Sequence, residues 1–209
     1  MFDRDSYDER IRKYRFRMEK DNLGHLLEYP LPEGYQFVFY QPGDKQDWIE
    51  IEISACECKN QAQGEQFWNE YFENKDEELK HRMIFVENQN HEKVATATAF
   101  YDIKGEDLSG AGWLHWVAVK KEYQGKGLSR PLISKALKTL RKLGYDHAMI
   151  PTKTTAWVAC KLYLDFGFRP TAKNAKDSYE GWCIIKTLTN HPALSMFEMT
   201  DKIYEDDEV

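Results

Sequence analysis

Trp113-Leu114-His115-Trp116-Val117-Ala118-Val119-Lys120-Lys121-Glu122-Tyr123-Gln124-Gly125-Lys126-Gly127-Leu128-Ser129 is the stretch that decides how the chain folds. Leu114 to Val119 is almost continuously apolar, the pattern of a strand covered on both faces. A short polar link and two glycines follow. Then Leu128, Leu132, Ile133, Ala136, Leu137, Leu140 and Leu143 recur at helical spacing, with Pro131 in or near the first turn and Gly144 as the stop. A strand, a glycine loop and a helix in that order aim the unbonded N–H groups of a helix N-terminus at one point, where phosphate oxygens are attracted.

Upstream, Tyr35 to Tyr40 has the aromatic and β-branched content of a strand. Asp44 is a candidate N-cap for a helix that brings Trp48, Ile49, Glu52 and Ile53 together on adjacent turns. A second helix around Glu65 to Phe72 carries Phe67, Trp68, Tyr71 and Phe72. Arg82 to Glu87 and Lys93 to Tyr101 read as a hairpin joined by Asn88-Gln89-Asn90-His91. Downstream come a strand at His147 to Ile150, a helix from about Thr154 to Gly167, and a final strand pair at Phe168 to Thr171 and Gly181 to Thr187. The predicted order is strand, two helices, three strands, helix, strand, helix, strand. That is a mixed α/β fold with helices on both faces of the sheet.

The ends differ in character. Residues 4 to 20 are rich in Arg and Lys, and Tyr7, Ile11, Tyr14 and Met18 fall at helical spacing, which predicts a basic amphipathic helix. It reads as an arm that packs on its own domain or on a second subunit, which allows a homodimer. The other reading, an anionic-surface binder, is weakened by the interspersed Asp3, Asp5, Asp8, Glu9 and Glu19. Pro30 and Pro32 then mark a linker, and the last residues, Asp201 to Val209, are acidic and expected to fray. The domain reading is an N-terminal helical extension over 1–34, one domain over 35–190 and an acidic tail over 191–209.

Composition narrows the class. A chain of 209 residues buries a real core as one domain, and a formal charge of −6 gives no global pull toward nucleic acid or an anionic membrane. No run approaches the ~18 apolar residues of a membrane span. The first twenty residues mix acids and bases without an apolar core, so they do not read as a secretory signal. Cys56, Cys58, Cys160 and Cys183 lack zinc spacing, so no metal site is expected. They read as reduced thiols of a cytoplasmic protein, two of them in core positions.

Two nucleotide readings of the loop fail on its glycines. A Walker A loop needs a longer span ending in Gly-Lys-Ser/Thr, and a dinucleotide fingerprint needs a third glycine where Arg130 stands. Gln124-Gly125-Lys126-Gly127-Leu128-Ser129 instead resembles the Gln/Arg-x-x-Gly-x-Gly/Ala pattern of the GCN5-related N-acetyltransferase (GNAT) superfamily, with Ser129 in place of the final Gly or Ala. Ala159-Cys160-Lys161-Leu162-Tyr163-Leu164-Asp165-Phe166-Gly167-Phe168 resembles the Ala-x-x-x-Tyr-x-x-x-Gly-Phe helix of the same superfamily. The resemblance covers about Tyr35 to Lys186.

The resemblance implies a mostly antiparallel sheet with a splayed central strand pair, and acetyl-CoA as co-substrate. It implies that Gln124, Gly125, Lys126, Gly127, Leu128 and Ser129 hold the pyrophosphate, and that the peptides of Val117, Ala118 and Val119 pair with the pantetheine arm. It also implies that Tyr163 protonates the departing thiolate. An aromatic packed between helix and sheet is the other reading of Tyr163. Many members carry a glutamate on the central strand, and here His115 is its only titratable side chain. Leu114 to Val119 resembles the Leu-His-Ala-Leu-Ala-Val strand of arylalkylamine N-acetyltransferases, which implies that His115 deprotonates the amine. A buried histidine satisfied by backbone is the alternative, and Glu50 and Glu52 on the first helix, read as a solvated face, are the runners-up for the base. Ala156 stands where the family often has an asparagine contacting the cofactor. The resemblance implies an amine acceptor, on a small molecule or a peptide. Transfer to that amine and non-catalytic acyl-CoA binding are the two functions the motifs allow.

Overall fold

Alternation of side chains along extended backbone gives the sheet two faces. The computed structural model describes residues 7–105, 107–171 and 178–204. It divides into two units, Asn22–Ala148 and Met1–Asp21 with Met149–Val209. The first unit holds β2 (Tyr35–Phe39), α1 (Lys45–Ser54), α2 (Gln61–Phe72), α3 (Asp76–Arg82), β3 (Met83–Asn88), β4 (Lys93–Phe100), β5 (Gly112–Val119) and α4 (Ser129–Lys142). Its strands pair antiparallel in the order β2-β3-β4-β5.

Residues paired across antiparallel strands share a face. Val38 pairs with Phe85, Phe85 with Thr96 and Thr96 with Ala118; Met83 pairs with Thr98 and Thr98 with His115. This face meets α1, α2 and α3, where Trp48, Ile49, Ile51, Trp68, Phe72 and Leu79 form a core with Met83, Phe85, Phe100 and Ala118. The opposite face carries Phe37 with Val86 and Phe39 with Ile84. There Lys135 of α4 lies over the rings of Phe37 and Phe39 at 5.6 and 5.5 Å. Helices therefore cover both faces, as the sequence predicts, and each fully buried large side chain contributes roughly 1.5–3 kcal/mol.

The second unit holds β1 (Arg15–Lys20), β6 (Ala148–Lys153), α5 (Trp157–Asp165), β7 (Arg169–Pro170) and α6 (Tyr179–Thr189), with strand order β6-β1-β7. The predicted basic helix is corrected here: residues 15–20 are a strand, antiparallel to β7. Tyr14, Phe16 and Met18 also fit a period of two, and Phe16 and Met18 are its buried positions. The predicted strand at Gly181 to Thr187 lies within α6, which ends at Asn190 in the left-handed region. Its run Trp182-Cys183-Ile184-Ile185 is buried throughout, and periodicity cannot separate helix from strand in such a run. Of the acidic tail, residues 205–209 lie outside the described residues, while Ile203 packs with Ile11 and Ile184.

Two further differences are local. Helix α3 was not expected, because seven residues with one buried side chain, Leu79, carry no apolar period. Its acids in the first turn and bases in the last match the helix dipole. Asp44 does occupy the N-cap position of α1, but its carboxylate accepts from the Gln41 N–H and from Lys93 Nζ instead of capping.

Candidate functional site

The glycine loop is held at both ends and left open in the middle. Lys121–Tyr123 forms a 3₁₀ turn, and the side-chain amide of Gln124 donates to the Val119 carbonyl at 3.0 Å, fastening the loop to the end of β5. Leu128 is buried, and its carbonyl accepts the first helical bond from Leu132 at 3.1 Å. Between these anchors Gly125 and Gly127 have φ of +76° and +80°, a region that costs a residue with a Cβ. No acceptor among the described residues takes the backbone N–H groups of Gly125, Lys126, Gly127, Leu128 or Ser129. The loop therefore presents consecutive free donors at the positive end of a fourteen-residue helix, which is the geometry that holds a diphosphate. The structure places Gln124 to Leu128 in this loop and Ser129 at the start of α4.

Lys126 adds its charge at the loop's surface, with Nζ 4.4 Å from the centre of the Tyr123 ring. Tyr123 in turn donates to Glu92 at 2.8 Å, and the neighbouring carboxylate raises its phenol pKa. Glu92 also accepts from Lys120 at 2.8 Å. This small network stiffens the approach to the loop.

Strand β5 carries a bulge. Thr96 pairs with Ala118 and Thr98 with His115, so Trp116 and Val117 together oppose Ala97. Trp116 takes φ of +51°, an unusual conformation for a bulky residue. Val117 is half-buried and Ala118 and Val119 are buried, so the side chains of this segment pack while the bulge redirects its peptides.

His115 lies just before the bulge and is 7% exposed, stacked on Trp113 at 5.2 Å and edge-on to Tyr71 at 5.6 Å. Its Nε2 is sealed from solvent without a hydrogen-bond partner. Burial pulls its pKa down to about 4, with the Asp102 charge acting in the opposite direction, so the ring is neutral at pH 7. The alternative of a histidine satisfied by backbone therefore does not hold at Nε2. Of the two helix carboxylates, Glu50 is exposed and accepts from Gln46, whereas Glu52 is 0% exposed. The solvated-face reading is corrected for Glu52. The signal was present, since Glu52 is four residues from Trp48 and three from Ile49, both fully buried.

In the second unit, Tyr163 on α5 is 5% exposed and packs edge-on to Phe168 at 6.1 Å. Ala156 is buried at the N-cap of the same helix. One turn before Tyr163, burial pushes the Cys160 thiol up to about 12, which removes it as a nucleophile. All four cysteines are free, and three of them, Cys58, Cys160 and Cys183, are buried where two were expected. Among the described residues no cluster of His, Cys, Asp and Glu is placed to hold a metal ion, and no helix is long and apolar enough to cross a membrane.

A bulged strand leading through an open glycine loop into a helix is an arrangement of an α/β protein suited to an anion. The family model described as "Acetyltransferase (GNAT) family" matches residues 46–168, and the chain belongs to that family. Among solved structures, a GCN5-related N-acetyltransferase from Sphaerobacter thermophilus is similar at a TM-score of 0.54 and 15% identity, over 69% of this chain and 44% of that one. A putative acetyltransferase of the GNAT family from Novosphingobium aromaticivorans is similar at 0.51 and 16%, over 77% and 61%. At these identities the likeness concerns the fold alone. The chain thus spans less than half of the first structure's length. No curated protein matches the sequence.

Proposed function

We propose that the chain is an acetyl-CoA dependent N-acetyltransferase that moves an acetyl group to a primary amine by direct attack. The observation that carries this reading is the row of unbonded N–H groups from Gly125 to Ser129, set between the bulge of β5 and α4. These groups, with Gln124 and Lys126, hold the pyrophosphate, and the peptides of Val117, Ala118 and Val119 orient the pantetheine arm. When bound, acetyl-CoA supplies an activated thioester carbonyl.

His115 receives the proton of the incoming amine. Its neutral state suits it to pass that proton on rather than keep it. Tyr163 protonates the sulfur, a role drawn from the family resemblance. The acceptor is a small-molecule or peptide amine. The free thiols fit a reducing, cytoplasmic setting, and a homodimer is part of the proposal.

The test is an acceptor screen with released thiol as readout, preceded by calorimetry with acetyl-CoA. Saturable binding and thiol release with at least one primary amine are expected. Binding without transfer across a broad amine panel would identify a non-catalytic acyl-CoA module instead. Stabilisation by NAD or ATP in place of coenzyme A would refute the loop assignment.

A further inference from the structure

The turn Asn88-Gln89-Asn90-His91 between β3 and β4 divides its polar side chains into two groups. Asn88 is engaged in the turn itself. Its Oδ1 accepts from the N–H groups of Asn90 and Glu92 at 2.9 and 3.1 Å, and its Nδ2 donates to the Tyr123 hydroxyl at 3.0 Å. The side-chain amides of Gln89 and Asn90 have no hydrogen-bond partner among the described residues, and neither do the Tyr35 hydroxyl and the Glu33 carboxylate.

These four side chains and Tyr123 border one cleft of about 240 Å³. The rings of Tyr35 and Tyr123 meet edge to face at 6.5 Å, and Glu92 accepts from the Tyr123 hydroxyl, which fixes that ring. Gly34 shapes the cleft from the backbone. It takes φ of +86°, and a Cβ there would meet Gln89 Nε2 at 3.0 Å, so the glycine lets the Gln89 amide lie close to the main chain.

Two contacts join the cleft to the glycine loop, and all the residues concerned belong to the first unit. Lys126 Nζ lies 4.4 Å over the Tyr123 ring. Pro32, next to Glu33, is what an added Cβ on Gly127 would meet, at 3.7 Å. The cleft is smaller than the ~300–1,000 Å³ that encloses a whole drug-sized ligand, so it suits one ring system of a molecule anchored beside it.

Its chemistry selects the ring. A side-chain amide sets a donor and an acceptor side by side, the pattern that pairs in a bidentate way with the N6 amino group and N7 of adenine. Glu33 is an acceptor only, which favours a base carrying an amino group over one carrying a carbonyl at that edge. Tyrosine rings suit a planar base. No lysine or arginine lines the cleft, and the Glu33 charge repels phosphate.

We propose that this cleft reads the base of the nucleotide end of the ligand and makes the glycine loop selective for an adenine nucleotide, with Gln89 and Asn90 on the amino edge of the ring. The proposal rests on the acetyl-CoA reading of the loop. A diphosphate at the N–H groups of Gly125 to Ser129 has two substituents. In that reading the pantetheine arm runs back along β5, which leaves the nucleoside for the Tyr123 side, where a ribose alone separates phosphate from base.

Calorimetry of the full chain with coenzyme A and with its 1,N6-etheno derivative tests this. The etheno bridge ties N1 to N6 and removes the amino hydrogens, while the phosphates and the pantetheine arm stay the same. The wild type is expected to bind coenzyme A about 10-fold or more tightly than the derivative. Gln89→Ala/Asn90→Ala should bind both with one affinity, that of the wild type for the derivative. Its melting temperature without ligand should match the wild type, since both side chains are exposed and without partners. Should the double variant fail to fold, Glu33→Gln takes its place and should narrow the preference. Equal binding of the two ligands by the wild type, or a preference unchanged in the variant, overturns the base-reading cleft and leaves the loop assignment standing. A wild type that binds neither ligand overturns the acetyl-CoA reading and the cleft with it.

Discussion

The side-chain amide of Gln124 donates to the carbonyl of Val119 at 3.0 Å, and so fastens the first residue of the glycine loop to the last residue of β5. This bond couples the glycine loop to the bulged strand. Gln124→Ala removes it and leaves the Val119 carbonyl without that donor. A net hydrogen bond of about 1 kcal/mol predicts a five- to tenfold loss of acetyl-CoA affinity by calorimetry. Unchanged affinity would show that the loop keeps its place without Gln124.

Gly127 has room for a side chain, since an added Cβ would meet only Pro32 at 3.7 Å. Its φ of +80° is what requires glycine. A β-branched residue there costs roughly 1–3 kcal/mol, which the loop relieves by rotating its N–H groups away from their common point. Gly127→Val is expected to weaken acetyl-CoA binding by about 10-fold or more while the melting temperature changes little. Binding at wild-type strength would remove the loop from pyrophosphate recognition.

The loop was legible in the sequence because glycine spacing and a following apolar helical stripe are local signals, and both survive folding unchanged. The strand before it was legible from its apolar run. The bulge was not, since Trp116 and Val117 oppose Ala97 only through a register set between two strands. Thr96 and Thr98 lie in the second strand of the predicted hairpin, and nothing local shows that they share His115's face of the sheet. Strand β1 was missed because Tyr14 and Met18 satisfy a helical period as well as an alternating one, and its antiparallel partner, β7, lies some 150 residues away in the chain.

Phe16 and Trp182 pack at a ring separation of 4.1 Å, joining β1 to α6 within the second unit. Trp182 is fully buried and also meets Phe197 at 6.0 Å. Trp182→Ala is expected to destabilise the fold by about 3–5 kcal/mol, because the strand on one side and the helix on the other cannot both close on the cavity. Urea unfolding followed by circular dichroism measures this. A loss below about 1 kcal/mol would show that β1 is held by its backbone pairing instead.

Tyr163 separates binding from chemistry. Tyr163→Phe keeps the ring that packs on Phe168 and removes only the hydroxyl, so folding and acetyl-CoA affinity should be preserved. If the phenol protonates the sulfur, kcat falls by about 10² to 10⁴. Full turnover in the phenylalanine variant would leave Tyr163 a packing residue and require another proton source.

His115 makes stability depend on pH in a predictable direction. Its folded pKa of about 4 lies below the value of 6.5 expected when unfolded, and the dominant cause is burial of the ring. Above pH 6.5 the imidazole is neutral in both states and contributes no pH dependence. As pH falls from 6.5 toward 4 the unfolded chain binds a proton that the folded chain does not, so stability is lost across this window by up to about 3 kcal/mol. Below 4 both states are protonated and the loss levels off. Carboxylates held below their ordinary pKa, Glu87 by its bond from Gln36 and Glu92 by its bond from Lys120, also cost stability as pH falls. The measurement is therefore a difference: urea unfolding of wild type and His115→Asn at pH 7 and pH 4.5. The variant should lose less on acidification than the wild type, and equal losses would mean that the ring is solvated in the native protein.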